Sequence, residues 1–255
     1  MKTKSKALQE MERNRFIKNA YEQYHSFMGL KDKLPKVEIL PLTHKINDTV
    51  LANHKVDNGK HFISVQEKLH LLKDEALPYL FHEFTHAYDY ETYFKGVENQ
   101  EMFLQLYTEY HASQIEFMKK LRFDNVEDRP VITANTSVTA LFKSQTVEQF
   151  LLEEKKEYID KIRHYISLNN MQGLFNAFPY LMYYLGKIKV VIKYSENIDE
   201  WNTNLFDYSE FATLFGDEII NIINDLLNIE IITEENICPV IENQISIMEH
   251  FKTMA

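Results

Sequence analysis

Residues 81–90 read FHEFTHAYDY, in which His82 and His86 stand four apart and Glu83 directly follows the first. On an α-helix each residue advances about 100°, so the two imidazoles fall about 40° apart on one face, one turn above the other, within reach of a single ion. Two neutral imidazoles suit Zn2+, and a catalytic zinc takes a third protein ligand while keeping one position for water. Glu83 sits next to that position and is the expected catalytic residue, a general base that takes the proton of a water attacking a polarised carbonyl.

The third ligand is expected on a following element. An extended metzincin motif needs Gly at position 89 and His at position 92, and Asp89 and Thr92 exclude that class. In the next helical stretch Glu109 shares a stripe with Met102, Gln105, Ala112, Ser113 and Glu116, and the small pair Ala112 and Ser113 permits close approach. Glu109 is therefore the expected ligand, with Glu116, His111, Glu98 and Glu101 as alternatives. Glu116, two turns along the stripe, and Asp89, three residues past His86, are candidates to hold the ligands rather than the metal, Asp89 by accepting an imidazole N–H. Tyrosines 88, 90, 93, 107 and 110 are near enough in sequence for one to stabilise an oxyanion, or simply to pack.

These residues need elements to position them. Residues 8–28 place Phe16, Ala20, Tyr24 and Phe27 at helical spacing, with Gly29 as a stop. KVEIL and TVLANHKVDNGKHFISV read as strands, the second pair joined by a hairpin at Asp57, Asn58 and Gly59, which predicts a small antiparallel sheet. The strand HFISV could offer an edge to an extended peptide or lie inside the sheet. EALPYLFHEFTHAYDYETYF reads as a helix with Pro78 in its first turn, and Leu80, Phe84 and Ala87 oppose the histidine face. Further helices are expected over 101–122, 146–168, 171–193, 208–228 and 234–252, with a polar break over 123–137. The fold class is α+β, mostly α: a core over 1–130 carrying the small sheet and the His-Glu-x-x-His helix, and an acidic helical domain over 131–255.

Composition narrows the class further. Gly and Pro number six each and 26% of residues are charged, as in an ordered, helix-rich protein. The basic start leads into no apolar core, and no run of about 18 apolar residues occurs, so a cytoplasmic protein without membrane association is expected. One cysteine, Cys238, removes cysteine-based zinc sites. Residues 194–255 hold 13 acidic side chains against Lys252 alone, while the rest of the chain is near balance. Such a surface repels phosphate backbones and disfavours nucleic acid as a partner; it suits solubility or a basic protein partner.

The order of amphipathic helix, hairpin, ISVQEKL, LPYLFHEFTHAYD and a helix with YTEYHAS resembles the minimal gluzincin core of the ImmA/IrrE family of zinc metallopeptidases, over about residues 8–122. The resemblance implies His82, His86 and Glu109 as zinc ligands and Glu83 as catalytic acid/base. It also implies a zinc cofactor, a prophage or mobile-element setting and a cytosolic protein substrate such as a repressor. The helical region after residue 138 has no counterpart in that resemblance.

Two other readings compete. Glu22 and His25 form a second Glu-x-x-His pair beside Glu83 and His86, the raw material of a di-iron carboxylate bundle, although the intervening hairpin opposes it. The chain could instead be an interaction protein with a zinc-bearing core that acts through its acidic helical region. The remaining histidines, His44, His54, His61, His70, His164 and His250 among them, lack a spaced partner and receive no role.

Overall fold

A computed structural model of the chain describes residues 6–30, 35–41, 51–94, 100–140, 143–230 and 242–249, with backbone alone at 41, 94 and 100–105. The fold is mostly helical with a small sheet, as the hydrophobic periodicities imply. His44, Glu98, Cys238 and His250 lie outside the described residues, as do the side chains of Glu101, Met102 and Gln105. The chain divides into two units, Met1–Gln100 with Gln114–Pro130 and Thr139–Ser144, and Glu101–Ser113 with Val131–Val138 and Gln145–Ala255.

In the first unit α1 (Lys6–Phe27) buries Ile17, Ala20, Tyr24 and Phe27, one helical stripe. Against it lies α2 (Leu77–Asp89), with Pro78 in the first turn, where no backbone donor is needed. Their contact is aromatic: Tyr24 and Phe27 meet Phe81 at ring-centroid distances of 5.4 and 5.3 Å, and Tyr21 meets Phe84 at 4.6 Å. Phe81 and Phe84 are fully buried, and each contributes about 1.5–3 kcal/mol of burial free energy. That packing fixes the rotation of α2 and decides which way its histidines face.

The sheet consists of β1 (Val37–Pro41), β2 (Ala52–Asp57) and β3 (Lys60–Val65) in the order β1-β3-β2. It is mixed rather than antiparallel, because β2 and β3 form the expected hairpin while β1 pairs with β3 in parallel. The strand HFISV is therefore central, and an added peptide has no edge there. The reason is visible in burial: Ile63 and Val65 are fully buried, and the strand with the most apolar inner face takes the position paired on both sides. Asn58 and Gly59 turn the hairpin at φ 50° and 71°, the left-handed pair that matches strand twist. After α2 the chain makes one π turn over Tyr90–Phe94 and then enters α3 (Gln100–Lys120).

The second unit is helical. In chain order a two-stranded ladder of β4 (Ser137–Ala140) and β5 (Lys143–Thr146), whose residues are shared between the two units, precedes α4 (Val147–Ile166), which starts from a reciprocal cap between Thr146 and Gln149. α5 (Met171–Tyr194) follows after a short connection. The helix expected over 208–228 is two helices, α6 (Ser209–Phe215) and α7 (Ile219–Asn228), because Gly216 at φ 94° leaves the helical region between them. Of the helix expected over 234–252, residues 242–249 are described and helical. The strands β4 and β5 escaped the periodicity argument because SVTA and KSQT are short and polar, with Val138 the one fully buried residue of β4.

Among the described residues of this unit three lysines are buried, Lys155, Lys187 and Lys189 at 8%, 2% and 5% exposure. Lys155 donates to the carbonyls of Asn204 and Asp207, and Lys189 to the carbonyl of Leu227 and to Glu230. Lys187 meets Glu154 at 2.6 Å and Tyr158 Oη at 2.7 Å. Cations are thus spent inside while Glu196, Asp199, Glu200, Glu210, Asp217 and Glu218 stand exposed, which sharpens the acidity of the surface. No described helix is long and apolar enough to cross a membrane.

Candidate metal centre

With Leu80, Phe81, Phe84 and Ala87 held in the core, the opposite side of α2 presents His82 and His86, whose rings stand edge to face at 4.7 Å. One ligand atom each from His82, His86 and Glu109 lies within 4.8 Å of the others, and this is the group among the described residues able to hold a metal. A tetrahedral zinc with bonds of about 2.0–2.1 Å spaces its donors about 3.4 Å apart. Two imidazoles and a carboxylate are the donor set of a zinc hydrolase site and also serve other divalent ions of intermediate hardness. Glu83, half-buried, is next to His82 in the chain.

Glu116 is seven residues past Glu109 on α3. Its Oε2 lies 2.9 Å from His82 Nδ1, close enough for an ion pair although not aligned as a hydrogen bond, and its Oε1 accepts from Lys120 Nζ at 2.6 Å. A carboxylate at Nδ1 favours the tautomer with its proton there, which makes Nε2 the lone-pair nitrogen for a metal. The Lys120 ammonium also lies 4.8 Å from the Tyr79 ring centroid.

Compared with family models, curated proteins and solved structures, the chain matches none.

Asp89 is fully buried. The nearby Tyr24 phenol is pushed up chiefly by burial, with the Asp89 charge adding to the effect and a hydrogen bond with Thr85 opposing it. Burial likewise raises Tyr93, with Tyr88 and Asp89 contributing. Tyr110 is occupied elsewhere, since its hydroxyl donates to the Leu226 carbonyl at 2.8 Å. His111 stacks on Tyr107 at 5.7 Å and is not one of the three converging donors. Glu22 is exposed on α1 and is likewise outside that group.

Sequence reasoning passed over His54, His61 and Glu91. His54 Nε2 lies 3.0 Å from His61 Nδ1, and His61 Nε2 lies 3.1 Å from Glu91 Oε1. The His54 ring stands near-parallel to that of His86, with centroids 6.0 Å apart. The signal was present in the hairpin: with Val56 opposite His61 and His54 opposite Ile63, side-chain alternation puts His54 and His61 on one face of the sheet. Recognising it required knowing that this face meets α2.

Proposed function

We propose that the chain is a zinc-dependent peptidase resembling the ImmA/IrrE gluzincins, acting on a cytosolic protein. The observation that carries this reading is the convergence of His82, His86 and Glu109 beside Glu83. A divalent metal held there would supply Lewis acidity toward a water and a peptide carbonyl. His82 and His86 would hold the metal through neutral imidazole nitrogens, and Glu109 would add one negative charge to the donor set. Glu83 accepts the proton of the attacking water and returns it to the leaving amine, which moves one proton per turnover through one carboxylate. The phenylalanines beneath α2 keep the back of the histidine helix dry.

A peptide substrate is favoured over a small ester or amide by the placement of β2. Among the described strands β2 is at an edge of the sheet and carries His54 beside His86, so an extended chain pairing with its outer edge would run past the two histidines. The test is zinc content together with cleavage of a mixed-sequence peptide library by the wild-type chain and by Glu83→Gln. One zinc per chain and cleavage lost in the variant support the reading; cleavage retained in Glu83→Gln removes it.

A second reading is favoured by the exposed carboxylates of the last quarter and the burial of Lys155, Lys187 and Lys189 in the second unit: an interaction protein whose acidic surface engages a basic protein. Biological activity surviving in Glu83→Gln would select it.

A further inference from the structure

The geometry points to His54 as a positioning residue of the metal centre, held by His61 and Glu91 and acting through His86. This inference rests on the metal reading above and not on peptide hydrolysis. All four residues lie in the first unit.

An ionised carboxylate only accepts, so Glu91 Oε1 takes the proton of His61 Nε2 across 3.1 Å. In a neutral imidazole one nitrogen donates and the other accepts. His61 Nδ1 is then the acceptor, and the proton in the 3.0 Å contact belongs to His54 Nε2. One carboxylate thereby sets two tautomers in series, both with the proton on Nε2. His61 is 2% exposed and packs edge to face against Tyr90 at 5.2 Å, so the middle of the chain has little freedom to turn.

The fixed element is delivered to His86. The two rings are 20° from parallel with centroids 6.0 Å apart, so the plane imposed on His54 limits the plane that His86 can adopt, and with it the direction of the lone pair offered to a metal. The path closes on itself, because Glu91 follows His86 by five residues on the π turn that ends α2. Single π turns recur at functional sites, and here the turn lets the segment leaving His86 brace His86 from the sheet side. His82 has its own carboxylate in Glu116. Each histidine of the motif thus has a separate support, one from α3 and one from the hairpin. Partners beyond the ligands themselves typically change metal affinity by about 10–100-fold.

The experiment uses the full-length chain. In the metal-free wild type, nitrogen–proton correlation NMR of the imidazoles should show His54 and His61 both with the proton on Nε2; a proton on His54 Nδ1 overturns the inference whether or not the site binds metal. Zinc affinity, read by competition with a chromogenic chelator, should fall about 10–100-fold in His61→Ala and His54→Ala, and the visible bands of the cobalt-substituted protein should shift. His61→Gln should restore part of both, because one amide can accept from His54 and donate to Glu91. A wild type that binds zinc through His82 while both alanine variants keep its affinity and cobalt spectrum overturns the positioning role alone. A wild type that binds no zinc overturns the metal reading itself, and this role with it.

Discussion

Glu116 divides its carboxylate between His82, 2.9 Å from Nδ1, and Lys120, 2.6 Å from Nζ. The lysine neutralises a carboxylate that is about one-tenth exposed, while the carboxylate fixes the histidine. Glu116→Ala should lower zinc affinity by about 10–100-fold. Chelator competition checks this, and an unchanged affinity would show that Glu116 serves the fold alone.

Glu83 has a different task from the ligands, and the two separate on substitution. Glu83→Gln should retain one zinc per chain and an unchanged melting curve while hydrolysis falls by about 100- to 10,000-fold. Metal analysis and peptide turnover on the same preparation decide between a catalytic and a merely metal-binding centre.

Zinc binding should also stabilise the chain. Free zinc at about 100 times its dissociation constant adds about 2.7 kcal/mol, seen as a rise in melting temperature that is reversed by a chelator. The rise should vanish in His82→Ala and in Glu109→Ala. A rise of equal size in both variants would place the metal elsewhere.

Lys187 tests the second unit. At 2% exposure, in contact with Glu154 and Tyr158, it cannot be truncated without leaving a carboxylate unmatched, and Lys187→Ala should cost about 3 kcal/mol. Replacing Lys187 and Glu154 together by methionine should recover much of that loss in urea denaturation. A single variant as stable as wild type would mean that the pair has no structural weight.

The tyrosines predict an alkaline limit. Burial raises the phenols of Tyr110 and Tyr184 well above their ordinary value, and both donate to backbone carbonyls, Leu226 and Leu205. A pKa higher in the folded than in the unfolded chain gives a contribution that is complete below about pH 10 and is lost as pH rises through the unfolded value toward the folded one. Denaturation midpoints should therefore fall above about pH 10, and less steeply in Tyr184→Phe. A pH-independent midpoint up to about pH 11 would contradict this.

Much of the fold was legible because it depends on local periodicity. The stripe of Ala20, Tyr24 and Phe27, in which Ile17 is buried and the expected Phe16 only half-buried, the Asn58–Gly59 turn and Pro78 at the start of α2 each express a constraint acting within a few residues. Where the constraint was not local, sequence reasoning failed. Gly216 inside an apolar run did not reveal a break, and nothing in KVEIL said that it would pair in parallel with the far side of β3.

The candidate site divides along the same line. The residues 82–86 by themselves determine that two imidazoles share a helix face with a carboxylate beside them, because helical geometry alone sets that angle. The α3 stripe puts Glu116 among the candidates to adjoin them, but only the tertiary structure decided which groups lie against those imidazoles. Glu116 is 34 positions from His82 in the chain, and His54 is 32 from His86, so the rotation of α2 on its aromatic bed and the facing side of the hairpin select them. Those are set by packing between elements, which no spacing in a single segment encodes.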